Sequence, residues 1–453
     1  MLRGRYAASI ATTIRGVHTQ TADVVVVGGG VMGAAAAYAA AKSKARVVLV
    51  EQFGRAHPYG SSAGDGRIAR LAYDCPVYVS LGHAAHAAWD ALSEDAERLG
   101  RETRASTSAW GVQGGKGGSH AVPPPLAADA PVVGGPVRTV CGSLDFGKVG
   151  TDTLVDLIAN YTQLGLEHEI LDAASVADRF PQFSIGEDEI AVYQDAGSVM
   201  HASRAVATLY AAAEDAGAVV METTGVEAIE MEAEGASHVV RAVNAGGEEI
   251  QLSTSKIILT GGGWTNSVLS GAGLSKLPLH ITNEQTTYFV QQPGSQGVDH
   301  SPAAMPTFIG HRPDITPRGF YGIPHVPGGI SGVKVAVMNE GETLSDAPDP
   351  NTRSFGVNNR MMDIARTFTE LYFPHLNPYI STAIRCIYSN SPDFDFIIGP
   401  HREHADVVVG AGFSGHGFKF GIAVGQLLAD HALSTSVLLD PQFETKFSPT
   451  RWS

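Results

Sequence analysis

Residues 24–41 read Val24-Val25-Val26-Val27-Gly28-Gly29-Gly30-Val31-Met32-Gly33-Ala34-Ala35-Ala36-Ala37-Tyr38-Ala39-Ala40-Ala41. An uncharged run of this length could nominally span a bilayer. Three consecutive glycines sit inside it, however, and its character changes at them, so two shorter elements are expected. Val24–Val27 form a buried β-branched strand and residues 31–41 a small-residue helix. The junction contains G-x-G-x-x-G, directly after the strand and before the helix. A second strand, residues 46–50, ends at Glu51, eighteen residues past Gly33. Together these make a dinucleotide-binding fingerprint. Gly28 permits the tight turn, Gly30 lets backbone approach a pyrophosphate, and Gly33 allows close helix–strand packing. Unpaired N–H groups of the helix start, around Met32, suit phosphate. Glu51 can accept hydrogen bonds from ribose hydroxyls. The fingerprint leaves NAD and FAD both open.

Two further strand-then-glycine units follow at residues 256–264, ending Gly261-Gly262-Gly263-Trp264, and at residues 406–419, running into an Ala/Leu-rich helix. One nucleotide-binding sheet assembled from separated pieces of chain favours FAD over a contiguous NAD domain. Composition agrees with an enzyme-like chain. The 453 residues are 44% hydrophobic and 17% charged, with 52 glycines, about 11% against an ordinary value near 7%. A net charge of −15 argues against nucleic acid or an anionic membrane as main partner. Three cysteines make neither a disulfide framework nor a four-cysteine zinc site, which fits a reducing compartment. Residues 1–22 carry Arg3, Arg5 and Arg15 and no acid, the composition of an organelle transit peptide. Residues 1–21 are therefore expected to be a mitochondrial leader, with a cytoplasmic or peroxisomal location as the alternative. Thr450-Arg451-Trp452-Ser453 is not a peroxisomal tripeptide.

Five blocks occur in order: the dinucleotide turn; residues 60–70, GSSAGDGRIAR; the strand ending Gly263-Trp264; residues 386–396, CIYSNSPDFDF; and residues 412–419, GFSGHGFK. In these the chain resembles the flavin amine oxidases of the monomeric sarcosine oxidase, N-methyltryptophan oxidase and pipecolate oxidase group, from about residue 23 to 435. The resemblance implies an α/β fold: a Rossmann-like FAD-binding domain of the D-amino-acid-oxidase type, interleaved with a mainly antiparallel substrate domain. The first is expected to comprise residues 22–101, 194–275 and 388–435. The second comprises 102–193 and 276–387, with Gly/Pro-rich stretches at 113–136 and 293–313, and 436–453 is a C-terminal tail. It further implies that Cys386 forms a thioether to the flavin 8α-methyl, that Arg70 and Lys419 clamp a substrate carboxylate, and that Lys334 activates dioxygen. Arg67 would pack beside the flavin and Tyr388 near the substrate. Ser61, Ser62, Val226, Gly263, Trp264, Gly415, Gly417 and Phe418 complete the implied cofactor contacts. The residues themselves support parts of this. Lys334 lies on an apolar strand, an uncomfortable place for an ammonium, and Gly415–Lys419 opens a helix whose N–H groups could face developing negative charge.

Departures from the group are informative. Ser62 and Ala63 replace two histidines, Met338 replaces a pocket histidine four residues past Lys334, and Glu284 stands where an arginine is common. These favour a larger or cyclic secondary amine over sarcosine. The expected reaction oxidises a secondary amino acid and reduces O2 to hydrogen peroxide, in a monomer with small-molecule partners. The alternatives are a mitochondrial dehydrogenase that passes electrons to a carrier protein and a non-catalytic flavin-binding protein. Remaining motifs carry nothing. The pairs His83/His86 and His401/His404 are expected to be surface histidines, and no metal site is expected.

Overall fold

In the computed structural model, which describes residues 18–73, 75–107, 133–345, 348–349, 352–438 and 440–452, the valine run is an interior strand. The strand His18–Val27 runs parallel to Val47–Val50 on one side and to Glu249–Leu259 on the other. Side chains alternate across a strand, and the two faces feed two cores. Val24 and Val26 pack under the helices, whereas Val25 and Val27 join Ile257, Leu259 and Val409 on the opposite face. Strand Val219–Met221 extends the sheet beyond Val47–Val50, while His404–Ala411 pairs with the far end of Glu249–Leu259. Two antiparallel strands, Thr224–Glu230 and His238–Asn244, complete one edge, and Ile397–His401 pairs antiparallel with His404–Ala411.

Three helices cover one face. Val31–Lys42 buries ten of its twelve residues between Ala202–Asp215 and Gly421–Leu433. Its alanine-rich surface lets the neighbouring helices approach closely. A Cβ on Gly425 would lie 2.4 Å from the Ala35 Cβ and 2.5 Å from the Ala35 carbonyl carbon.

The second layer is a nine-stranded sheet, antiparallel except where Thr307–His311 runs parallel to Ser143–Lys148. Its longest ladder pairs His280–Gln291 with Leu376–Asn390. The helix Asn359–Tyr372 covers this sheet, with Phe368 stacked on Phe320 at a centroid distance of 3.8 Å. A three-stranded sheet made of Arg67–Ala69, Ser198–Met200 and Arg138–Val140 links the layers. No helix among the described residues is long and apolar enough to cross a membrane.

Several expected boundaries move. The last four residues of the expected leader, 18–21, are strand residues, paired with Ile250–Ser253; residues 1–17 lie outside the described residues, as does most of the 113–136 stretch. A break at residue 101 would cut the helix Pro76–Thr107, and one at 387 would cut the strand Leu376–Asn390. Backbone hydrogen bonding continues through both positions. The expected tail holds a docked helix, Pro441–Phe447, whose Phe443 and Phe447 are buried. Arg451 then pairs with Asp393 at 2.8 Å.

The histidines expected at the surface are also displaced inward: His86, His401 and His404 are all buried. His404 joins His238 and Asp406 in a cluster with the spacing of metal ligands. Its ring nitrogens are nevertheless engaged. His238 takes the Glu232 N–H on Nδ1 and faces Asp406 through Nε2, while His404 contacts the Glu232 carbonyl and accepts the Asp406 N–H. Asp406 also accepts from the Lys256 ammonium at 2.5 Å. The cluster is a satisfied structural network.

The helix contact sets a stability test. Gly425→Ala forces the Ala35 backbone to move and should cost about 1–3 kcal/mol in denaturant unfolding. Gly271→Ala, with nothing within 4 Å of its Cβ, should change stability by about 0.5 kcal/mol or less.

Candidate active site

A cavity of about 960 Å³ lies between the two large sheets. One end is the glycine turn. Gly28 adopts φ +96°, and a Cβ there would sit 2.6 Å from the Thr260 carbonyl oxygen. Gly33 does not line the cavity; its Cβ would lie 1.8 Å from the Gly28 carbonyl oxygen, so it permits strand and helix to touch. Gly30 does line it, and a Cβ there would fill the space in front of Ser62. The helix beginning at Val31 has no side-chain cap and no acid in its first turn, and the Val31 N–H donates to Ser62 Oγ at 3.1 Å.

Glu51 is buried and accepts from the N–H groups of Gly29 (2.7 Å) and Phe53 (2.8 Å). Its carboxylate is thus held at the end of its strand, on the cavity wall, with His57 Nε2 3.4 Å from Oε1. Tyr210 braces the turn from behind by donating to the Gly29 carbonyl at 2.9 Å. It is a residue that sequence reading missed, because nothing in a helix interior marks one tyrosine as special. Met32, Val226, Gly263 and Trp264 complete the walls of this half. A glycine cradle, a helix start with no acid in its first turn and a buried carboxylate on the cavity wall fit a dinucleotide.

The loop 60–66 crosses the middle of the cavity. Ser61 donates to the Ile387 carbonyl at 2.5 Å. Arg67 donates to the carbonyls of Gly66, Ser61 and Ala63 and lies over the Phe418 ring, so it fastens this loop while lining the cavity. Gly415 and Gly417 form the opposite wall. Side chains there would strike Tyr388 at 2.3 Å and Phe413 at 2.6 Å.

The far end collects the reactive groups. Cys386 is a free thiol lining the cavity, and burial raises its pKa against the opposing pull of Arg67. Tyr388 and Tyr321 share a hydrogen bond of 2.8 Å. Lys334 is 2% exposed and donates to the Gly66 carbonyl at 3.2 Å. Burial, with Arg67 nearby, lowers its pKa to about 7. Lys419 donates to the Tyr73 hydroxyl (2.9 Å) and the His416 carbonyl (3.1 Å). Burial and Arg70 bring it also to about 7. Burial and Lys419 take His416 down to about 3, so its ring is neutral.

Arg70 differs from expectation. Its Nη1 is already held by the buried carboxylate of Asp145, at 2.8 and 3.0 Å, and His311 Nε2 sits 3.0 Å from the same carboxylate. Neither partner was foreseen, although Asp145 is as out of place between Leu144 and Phe146 as Lys334 is on its own strand. Of the departures from the family pattern, Ser62, Ala63 and Met338 all line the cavity. Glu284 does not; it accepts from Thr282 and the N–H groups of Glu340 and Gly341, bracing a loop.

Among curated proteins, the chain is 31% identical to a monomeric sarcosine oxidase of Streptomyces avermitilis, over 93% of this chain and 97% of that protein. It is 27% identical to a human peroxisomal sarcosine oxidase, over 93% and 94%, and 25% identical to an N-methyl-L-tryptophan oxidase of Citrobacter koseri, over 92% and 96%. Among solved structures, that of NikD, an amino acid oxidase essential for nikkomycin biosynthesis, shares the fold. It superposes with a TM-score of 0.71 at 23% identity, covering 95% of this chain and 98% of that one. Residues 23–113 and 132–431 match the DAO family, described as FAD dependent oxidoreductase, and the chain belongs to that family.

Proposed function

We propose that this FAD-dependent oxidoreductase oxidises a secondary amino acid, N-methylated or cyclic, and that dioxygen takes up the electrons as hydrogen peroxide. The observation that carries this reading is that Arg70 and Lys419, near enough for Arg70 to lower the Lys419 pKa, line the same cavity as the dinucleotide turn. FAD, when bound, supplies an acceptor for the hydride equivalent leaving the carbon beside the amine. The protein's part is to orient the substrate. Two charge-assisted hydrogen bonds from Arg70 and Lys419 to a carboxylate contribute about 1.5–3 kcal/mol each and fix which C–H bond faces the cofactor. Tyr388, Tyr321 and Met338 shape the remaining wall, and Met338 in place of a polar ring suits an apolar ring or chain on the amine. A desolvated pocket already rich in cations favours the neutral amine over the ammonium. Lys334, buried beside the loop 60–66, provides positive charge for dioxygen reduction. The names of the relatives further support a monomer acting on a small amino acid.

We also infer that Cys386 carries the flavin through a thioether. The support is its place on the cavity wall beside Tyr388 and close to Arg67.

Screening sarcosine, L-proline, L-pipecolate and N-methyl amino acids for peroxide release tests the reading. Peroxide formed mole for mole with imine or its hydrolysis product is the expected result, and no turnover on the whole panel overturns it. Acid precipitation should leave the yellow colour in the protein pellet, and in Cys386→Ala it should release the colour to the supernatant. The pH profile follows from Lys419. A lysine lowered to about 7 is cationic below that pH and neutral above it. Affinity for a carboxylate should therefore fall as pH rises through neutrality, by up to about tenfold per unit. Lys419→Met should bind about 10- to 100-fold more weakly at pH 6 and show a flatter profile, as read by the apparent KM.

A further inference from the structure

Arg67, Arg70, Lys334 and Lys419 are among the cations that line the cavity. Among the described residues Asp145 is the acid in direct contact with this set, and it touches Arg70 alone. The contact is one-sided. Nη1 donates to both carboxylate oxygens at 2.8 and 3.0 Å, while Nε and Nη2, the side-on fork of the guanidinium, make no hydrogen bond to the described residues. That fork matches a second carboxylate bidentately. Asp145 is 2% exposed, on the strand Ser143–Lys148 that pairs with Thr307–His311. His311 lines the cavity and reaches Asp145 Oδ1 through Nε2 at 3.0 Å. Arg70 and His311 hold the Asp145 carboxyl below the usual carboxylate range despite its burial, so its charge persists at neutral pH.

We propose that Asp145 is the resident counter-ion of the carboxylate subsite. It is a positioning residue that grips one nitrogen of Arg70, turns the Nε–Nη2 fork towards the substrate and weakens the pull of the pocket on anions in general. This rests on the reading of Arg70 as a substrate-carboxylate ligand. Its physical logic is that a buried cation without a partner binds any small anion that reaches it. An internal carboxylate removes that demand, leaving selectivity to directed hydrogen bonds. A substrate must therefore present its carboxylate at the open fork, and a small anion with no further contacts gains little.

The test uses the flavin-loaded protein and Asp145→Asn, which keeps shape and an acceptor oxygen for Nη1 while removing the charge. Acetate is the probe, titrated by the flavin difference spectrum and by calorimetry. Asp145→Asn should bind acetate about tenfold more tightly, a change of about one charge-assisted contact. Anaerobic reduction of the flavin by the best amino-acid substrate should become slower at saturation, because Arg70 loses one of its two anchors. A structural role alone would weaken acetate binding and lower the melting temperature together. Unchanged or weaker acetate binding overturns the proposal. If the asparagine variant does not fold, Asp145→Ser is read by the same two titrations. In Arg70→Gln the substitution at Asp145 should no longer alter acetate affinity; an equal effect there also overturns it. Tighter acetate binding with no amino acid reducing the flavin would sink the substrate reading and leave the counter-ion in place. The reverse pattern would do the opposite.

Discussion

The burial of cations along one cavity is the constraint that organises this enzyme. Desolvation works against every charge there, and together with Arg67 and Arg70 it brings Lys334 and Lys419 down to about 7. Each cation is tolerated because backbone or phenol oxygens, and for Arg70 the Asp145 carboxylate, point at it. Those oxygens come from far-apart pieces of chain: the 60–66 loop, the helix start at residues 416–419, and strands of the second sheet. The interleaved topology is what brings them together, since neither sheet holds the full set.

Much of the nucleotide half could be read directly from residues. Gly28, Gly30, Gly33 and Glu51 have local reasons for their identities: a positive φ, open space towards the cavity, helix–strand contact and a strand-end carboxylate. Local reasons survive in local sequence. The substrate half was less transparent because its logic lies in long-range pairing. Asp145 and Arg70 are separated by 75 residues, and no spacing rule links them; the one local sign is an acid between Leu144 and Phe146. The displaced histidines fail for the same reason. His401 and His404 look like a polar turn, yet the turn tucks against Ser275 and Glu232, which lie 126 and 172 residues away in the chain.

Boundaries were misplaced where an element carries two duties. Leu376–Asn390 belongs to the second sheet by its ladder, but its end, through Asn390 and Phe413, reaches the segment that closes the nucleotide layer. Cys386 and Tyr388 sit on that stretch. Similarly, the helix Pro76–Thr107 buries Trp89 and Leu92 against the first layer and lends the Trp89 indole N–H to the Lys419 carbonyl at 2.8 Å. A division drawn by function would cut through hydrogen-bonded backbone in both places.

The first strand begins at His18, not at the valines. Its opening rungs, His18 to Ala22, pair residue by residue with Ile250 to Thr254. That register sets a limit on proteolytic maturation. A cut beyond His18 would strip rungs from an interior strand and leave the backbone of residues 250–254 with an unpaired edge, a site for misassociation with other chains.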